Sequence, residues 1–373
     1  MTTATAAPAG LEGLVVTDTA IGDVRGDEGF FHYRGHDATV LARTRRLEEV
    51  WHLLALGHLP DAVEVTAFTG RLAAWRERVP ADLVAATHRA ARSGADTLTT
   101  LRTAWSAAAT PLGARPWLDL APAERLDQAL GLAAIGPVLV AAGHRAGVAD
   151  DLASAPAPTA AAYLHLLTGA TPPAAHVRAL ERYLVATIDH GLNASTFTAR
   201  VVASTGADLA AVLVAALGAL SGPLHGGAPS RALDMLDAIG TPGRAEAWVA
   251  DALARGERIM GFGHRIYRTE DPRAALLRET ARDLGGDRFE LALAVETTVR
   301  ELLRRHRPDR VLDVNVEYWA AVVLDAVGVP RPLFTPTFAV SRAIGWMAHA
   351  LEQTEHNRIM RPSSRYVGAF GSG

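Results

Sequence analysis

The 373-residue chain contains no cysteine, which excludes disulfides, thiol nucleophiles, thiolate zinc sites and iron–sulfur ligation. It contains no lysine either, so all 37 basic residues are arginine. Schiff bases, pyridoxal phosphate enzymes of the usual kind and a P-loop lysine are therefore excluded too. Any chemistry on an anion must rely on arginine, histidine and backbone N–H groups. Aromatics make up only 6% of the chain, and the formal charge is a near-balanced −3. The arginines are spread along the chain without a basic block, which argues against nucleic-acid binding.

What is present describes an ordinary globular chain, 49% hydrophobic and long enough for one large domain or two unequal ones. The opening MTTATAAPAG has neither the basic and apolar regions of a signal peptide nor the arginines of a transit peptide. An uncharged stretch, 209–230, ends in SGPLHGGAPS, which Gly and Pro break too often for a membrane helix. No membrane association is expected, and a cytoplasmic location is expected by elimination.

Alanine and leucine dominate, and strands with period-two alternation are scarce, so the fold class expected is mainly α. In 290–306, Leu291, Val295, Val299, Leu302 and Leu303 fall on one face at helical spacing. Glu296/Arg300 and Glu301/Arg305 stand four apart on what reads as the wetter side. Similar patterns cover 47–56, 160–167, 177–188, 209–220 and 245–259, with a short hairpin expected within 15–33. Asp271-Pro272-Arg273-Ala274 reads as an N-cap, a proline at the first helical position, and a helix running to Gly285. Arg273 then lies in the first turn, where the dipole disfavours a cation; it is either solvated or beside an anion.

With Cys and Lys absent, the candidate catalytic groups are His, Asp/Glu, Ser/Thr and Tyr. His32, His36, His52, His58, His88, His144, His165, His176 and His306 have no convergent partner in sequence and read as surface or core residues. His349, Glu352 and His356 share a helix face that imitates a metal site without a further ligand, so no metal site is expected. His190, His225 and His264 differ because glycine flanks each, in DHGLN, GPLHGG and MGFGHRIY. Glycine lets a ligand approach the backbone and places the imidazole at a turn. The alternative for each is a loop histidine bonded to a carbonyl. Gly261-Phe262-Gly263 lacks the third glycine and the strand of a dinucleotide fingerprint.

These segments resemble the citrate synthase family over essentially the whole length. Gly10-Leu-Glu-Gly13 and Phe31-His-Tyr-Arg-Gly35 resemble its opening. The residues from Asp189 to Arg200 and Gly222-Pro-Leu-His-Gly-Gly-Ala228 match the centre. Gly261-Phe-Gly-His-Arg-Ile-Tyr267, Asp271-Pro-Arg-Ala274, Asn315-Val-Glu-Tyr-Trp319 and the residues from Phe334 to Arg342 follow in family order. Gly345-Trp346, Ala348-His349 and Arg361-Pro362 complete the series. The likeness is greatest to the short actinobacterial-type branch, citrate synthase 2.

The resemblance implies an almost all-α, two-domain fold with the active site in the cleft. Residues 1–226 with 328–373 would form the large helical domain and 227–327 the small one. It implies condensation of acetyl-CoA with oxaloacetate and hydrolysis of the thioester, with acetyl-CoA as co-substrate and no permanently bound cofactor. His190, Arg273, Arg342 and Arg361 would hold oxaloacetate, Arg361 reaching into the partner subunit of a homodimer. Glu317 would be the base for the methyl proton. His225 would donate to the thioester oxygen, and His264 would polarise the oxaloacetate ketone. Gly261, Gly263, Asn315, Arg265 and Arg268 are candidates for the coenzyme A site, the two arginines as phosphate partners or simply solvated. A helix starting near Pro229 would keep His225 neutral.

Two residues depart from the family pattern. Glu317 stands where aspartate is usual, moving the carboxylate one methylene outward; a misplacement of about 1 Å can cost on the order of 100-fold in rate. Three readings follow: a slow citrate synthase, a pocket adapted to a larger acyl-CoA such as propionyl-CoA (a 2-methylcitrate synthase), or a low-activity binding or regulatory paralogue. Gly191 stands where glutamate is common, removing a candidate partner for His190.

Overall fold

The computed structural model describes residues 6–223, 225, 229–264, 267, 269–307 and 312–369. Arg265 and Arg268 lie outside the described residues. The described chain is mainly helical, as expected, with one small sheet near its N-terminus. That sheet is antiparallel, with Gly22–Arg25 paired to Phe30–Tyr33 (Gly22 opposite Tyr33) and a short third strand, His36–Asp37, on the outer side. Alternation along the middle strand buries Phe31 and Tyr33. The buried Tyr33 hydroxyl donates to the carbonyls of Val185 and Asp189, at 2.9 and 3.2 Å, and pins the sheet beside His190.

The helix Phe334–Glu355 runs through the core, buried over most of its length. It packs against Ala174–Thr187, Ala194–Ser204 and Leu209–Leu220. Gly345 makes one of these approaches possible: a Cβ there would overlap the Ile188 carbonyl oxygen. Because backbone cannot rotate away as a side chain can, Gly345→Ala should cost roughly 3 kcal/mol, the upper end of overpacking losses. A thermal melt should therefore show a drop of several degrees.

The expected start at Asp271 is observed: its side chain accepts the Arg273 N–H at 3.0 Å, Pro272 opens the helix, and Gly285 (φ +70°) closes it after Leu284. Two helical expectations need correction. The segment expected to be helical over 245–259 stops at Ala254, because Gly256 follows at φ +72° and ends it. In Asp287–His306, Glu296 lies in the interior and not on the wetter side. It accepts from Arg278 at 2.6 Å and from Trp319 Nε1 at 2.9 Å. Among the described residues one helical run, Pro122–His144, is long and apolar enough to cross a membrane. Since 78% of that window is buried inside the protein, it is a core element.

Candidate active site

Asn315 and Asp271 hold three segments together. Asn315 caps the helix Val316–Ala326 by accepting the Glu317 N–H at 3.0 Å. Its amide donates to the Gly263 carbonyl at 3.0 Å, and its own N–H donates to the Gly261 carbonyl at 2.9 Å. Both ends of the side chain are thus used inside the protein, which makes Asn315 a tether for the loop carrying His264. Gly261 and Gly263 both have positive φ, +81° and +83°, and a Cβ on Gly261 would crowd Tyr318 at 2.8 Å. The two glycines let the loop lie flat against the helix start, with Phe262 bridged to Val314. Asp271 binds Arg273 bidentately, from Nε at 3.0 Å and Nη2 at 2.8 Å, and also accepts the Val316 N–H at 3.1 Å.

The position of Arg273 at a helix start is therefore explained by the chain's own Asp271. Substrate is not needed to account for that arginine. Burial works against Asp271's charge, but Arg273 holds its carboxyl below the usual range, and Asp271 in turn raises Arg273. Arg342 contrasts with this pair. It is buried, its guanidinium carbon lies 4.7 Å over the Phe338 ring, and Nε and Nη1 have no hydrogen-bond partner among the described residues. Burial pushes it down to about 10, which leaves it charged at neutral pH. A buried, charged guanidinium with unpaired N–H groups is costly unless an anion occupies the space beside it.

Three imidazoles lie near these arginines. The rings of His190 and His264 are 5.9 Å apart, edge to face, and Tyr267 packs against both. Burial, followed by Arg273, Arg342 and His264, drives His190 well below its usual range; burial and then Arg273 push His264 down to about 4. His264 Nδ1 accepts the Tyr267 N–H at 3.0 Å, while Nε2 faces Arg273 Nη2 at 3.2 Å. A neutral imidazole has one lone pair, so its proton falls on Nε2 beside a guanidinium N–H. Two donors meet there, one from each side chain.

His225 is half-buried and lowered by burial first, then by Arg342. Its Nε2 lies 2.9 Å from Ser195 Oγ and 3.3 Å from the Ser195 N–H, at the first turn of the helix Ala194–Ser204. The helix starting at Pro229 is also observed. The helix terminus that His225 touches directly, however, is the one capped by Asn193. With Nε2 accepting from that N–H, the ring proton sits on Nδ1.

Glu317 is half-buried, and its carboxyl has no hydrogen bond or ion pair among the described residues. Burial pushes it up to about 7, against the opposing charges of Arg273 and Arg258. This is the poise expected of a general base working near neutral pH. Arg361 stands apart, exposed on the extended segment after Glu355, and joins none of these contacts.

The structure adds several residues that sequence pattern did not single out. Tyr267 donates or accepts at His190 Nε2 (3.0 Å), while Gly191, next to His190 in the chain, turns at φ +62°. Ser195, Asn193 and Arg258 join the same region. His349 is fully engaged, with Nδ1 accepting from Arg200 and Nε2 3.1 Å from Asp189, while Glu352 pairs with Arg200 and His356 is exposed. The nine remaining histidines also need one correction. His52 and His58 do converge, together with Glu64.

A helical framework that surrounds two buried guanidiniums with three neutral imidazoles and a carboxyl near neutrality is that of an acid–base enzyme for an anionic substrate. The model of the citrate synthase C-terminal domain family matches residues 10–363, and the chain belongs to the citrate synthase family of acyltransferases. It is 39% identical to a Mycobacterium tuberculosis relative of the citrate synthase 2 type, over 96% of this chain and 92% of that one. A 2-methylcitrate synthase of Shewanella oneidensis is 35% identical, over 96% and 94%. Among solved structures, the ternary complex of Thermoplasma acidophilum citrate synthase with carboxymethyl coenzyme A and oxaloacetate superposes with a TM-score of 0.85. That pair shares 26% identity over 98% of this chain and 97% of that one.

Proposed function

We propose that the protein condenses acetyl-CoA with oxaloacetate and hydrolyses the resulting citryl thioester to citrate and coenzyme A. The observation that carries this reading is the buried Arg342 guanidinium, whose Nε and Nη1 have no hydrogen-bond partner among the described residues, together with the His264 and Arg273 donors that meet at 3.2 Å. Oxaloacetate has a carboxylate for the first and a ketone oxygen for the second. His190, Arg273, Arg342 and a partner subunit's counterpart of Arg361 would hold it, in a cleft between residues 227–327 and the rest of the chain.

The hard step is removal of a proton from the acetyl methyl group, a very weak carbon acid. Glu317 takes that proton while His225, protonated on Nδ1, donates to the thioester oxygen where enolate charge develops. A neutral donor suits this task because it matches a developing charge without repelling the nearby arginines. The enolate carbon then attacks the oxaloacetate ketone, and the new alkoxide takes the His264 Nε2 proton. Water completes thioester hydrolysis. Closure of residues 227–327 over the cleft would keep water out until both substrates are in place.

Thiol release from acetyl-CoA plus oxaloacetate tests the proposal, and release faster than with propionyl-CoA is the expected result. Faster release with propionyl-CoA assigns the protein as a 2-methylcitrate synthase. Should oxaloacetate raise the melting temperature without thiol release from either acyl-CoA, the chain is a binding paralogue and the catalytic reading fails.

A further inference from the structure

We propose that His52, His58 and Glu64 form a divalent-cation site of the zinc class, sharing no residue with the acid–base cluster. Absence of cysteine excludes thiolate zinc sites only; imidazole and carboxylate ligands suffice for Zn2+. Among the described residues, this is the one group of three or more such side chains whose ligand atoms gather, all within 4.8 Å of one another. His58 Nε2 and Glu64 Oε1 are 3.1 Å apart. Ligands on a tetrahedral zinc with bonds of about 2.0–2.1 Å stand roughly 3.3 Å apart, so this pair is already spaced for a shared ion.

The three side chains are held in place by their surroundings. His52 is buried, its Nδ1 lies 3.0 Å from the His58 carbonyl oxygen, and its ring packs edge-on against Phe68 and His58. An N–H to backbone carbonyl bond of this kind sets the tautomer of a metal-binding histidine and leaves the other nitrogen its lone pair. Glu64 Oε2 accepts the Asp61 N–H at 2.9 Å, which orients the carboxylate and leaves Oε1 toward His58. The ligands come from both sides of one corner. His52 lies on the helix Leu47–Leu56, His58 follows the left-handed Gly57 (φ +88°), and Glu64 is in the first turn of Ala62–Glu77. A bound ion would clamp the two helices together, with water completing its coordination.

Equilibrium dialysis of the full chain against ZnCl2, with metal analysis and thermal melts, tests the site. The expected result is one zinc per chain and a raised melting temperature. His58→Ala and Glu64→Gln should each weaken zinc binding at least about tenfold. Both should melt like the parent without metal, because His58 is exposed and glutamine retains the capping-box contact with Asp61. MgCl2, an oxygen-seeking ion, should give no comparable shift. No saturable zinc uptake by the parent overturns the proposal. So does uptake unchanged in both variants, which would place the metal on His190, His225 or His264, and so does an equal response to magnesium.

Discussion

Glu317→Gln is expected to lower kcat by about a thousandfold while leaving oxaloacetate binding nearly intact. Loss of a positioned general base typically costs on the order of 10²–10⁴. Oxaloacetate does not depend on this carboxyl, since its proposed contacts are the arginines and histidines. Steady-state rates together with calorimetric oxaloacetate titration check the split; weaker binding in the variant would make Glu317 a structural residue. The same carboxyl carries a pH signature. Burial raises it from the ordinary carboxyl range to about 7, so activity should rise with pH through about 7. For stability the sign is opposite. The folded state holds the Glu317 proton to higher pH than the unfolded chain, so stability falls as pH rises from about 4.5 to about 7. Glutamine removes that penalty. The variant should therefore gain on the order of 2 kcal/mol above pH 7 and nothing below about pH 4.5, as denaturant melts at the two ends would show. Glu317→Asp, the family's usual residue, should retain activity and report whether the longer side chain suits its surroundings.

Arg342→Met should abolish oxaloacetate binding and raise the stability of the unliganded protein. A charged guanidinium whose Nε and Nη1 are buried with no partner among the described residues is unfavourable without an anion beside it, and methionine fills similar space without charge. The binding loss should reach at least about 10²–10³-fold, the scale of removing one partner from a buried charge pair worth roughly 3–5 kcal/mol. Melting temperatures with and without oxaloacetate read both effects. The parent should rise on adding ligand, while the variant should start higher and stay there. A variant that loses stability and still responds to oxaloacetate would mean that Arg342 packs and does not bind.

Much of the fold follows from local chemistry that sequence displays. Asp271-Pro272 opens a helix because a carboxylate reaches the first free N–H and proline has none to leave unpaired. The hairpin near the N-terminus and the helices 47–56 and 209–220 were equally legible. Glu296 was misread because an i,i+4 pair looks the same whether solvent or Trp319 lies beyond it. The end of Ala245–Ala254 was misread because apolar periodicity ran on past the point where Gly256 turns left-handed. In the site, glycine-flanked histidines were visible as turns. Partners far apart in sequence were not, such as Tyr267 for His190, Ser195 for His225 and Arg200 for His349. The convergence of His52, His58 and Glu64 likewise depends on a corner between two helices, and no single helical face contains it.

The Asp271 carboxylate has a consequence for how such an enzyme can diversify. It clasps Arg273 on one helix and the Val316 N–H at the head of the next. Backbone adjustment at the base-bearing turn would therefore disturb the arginine as well. A lineage that needs its base placed differently has one inexpensive route left, a change of side-chain length at position 317. On the proposed role of Glu317, a glutamate in place of the aspartate that the family resemblance implies is the kind of step this knot permits, a shift of reach made without untying the anchor.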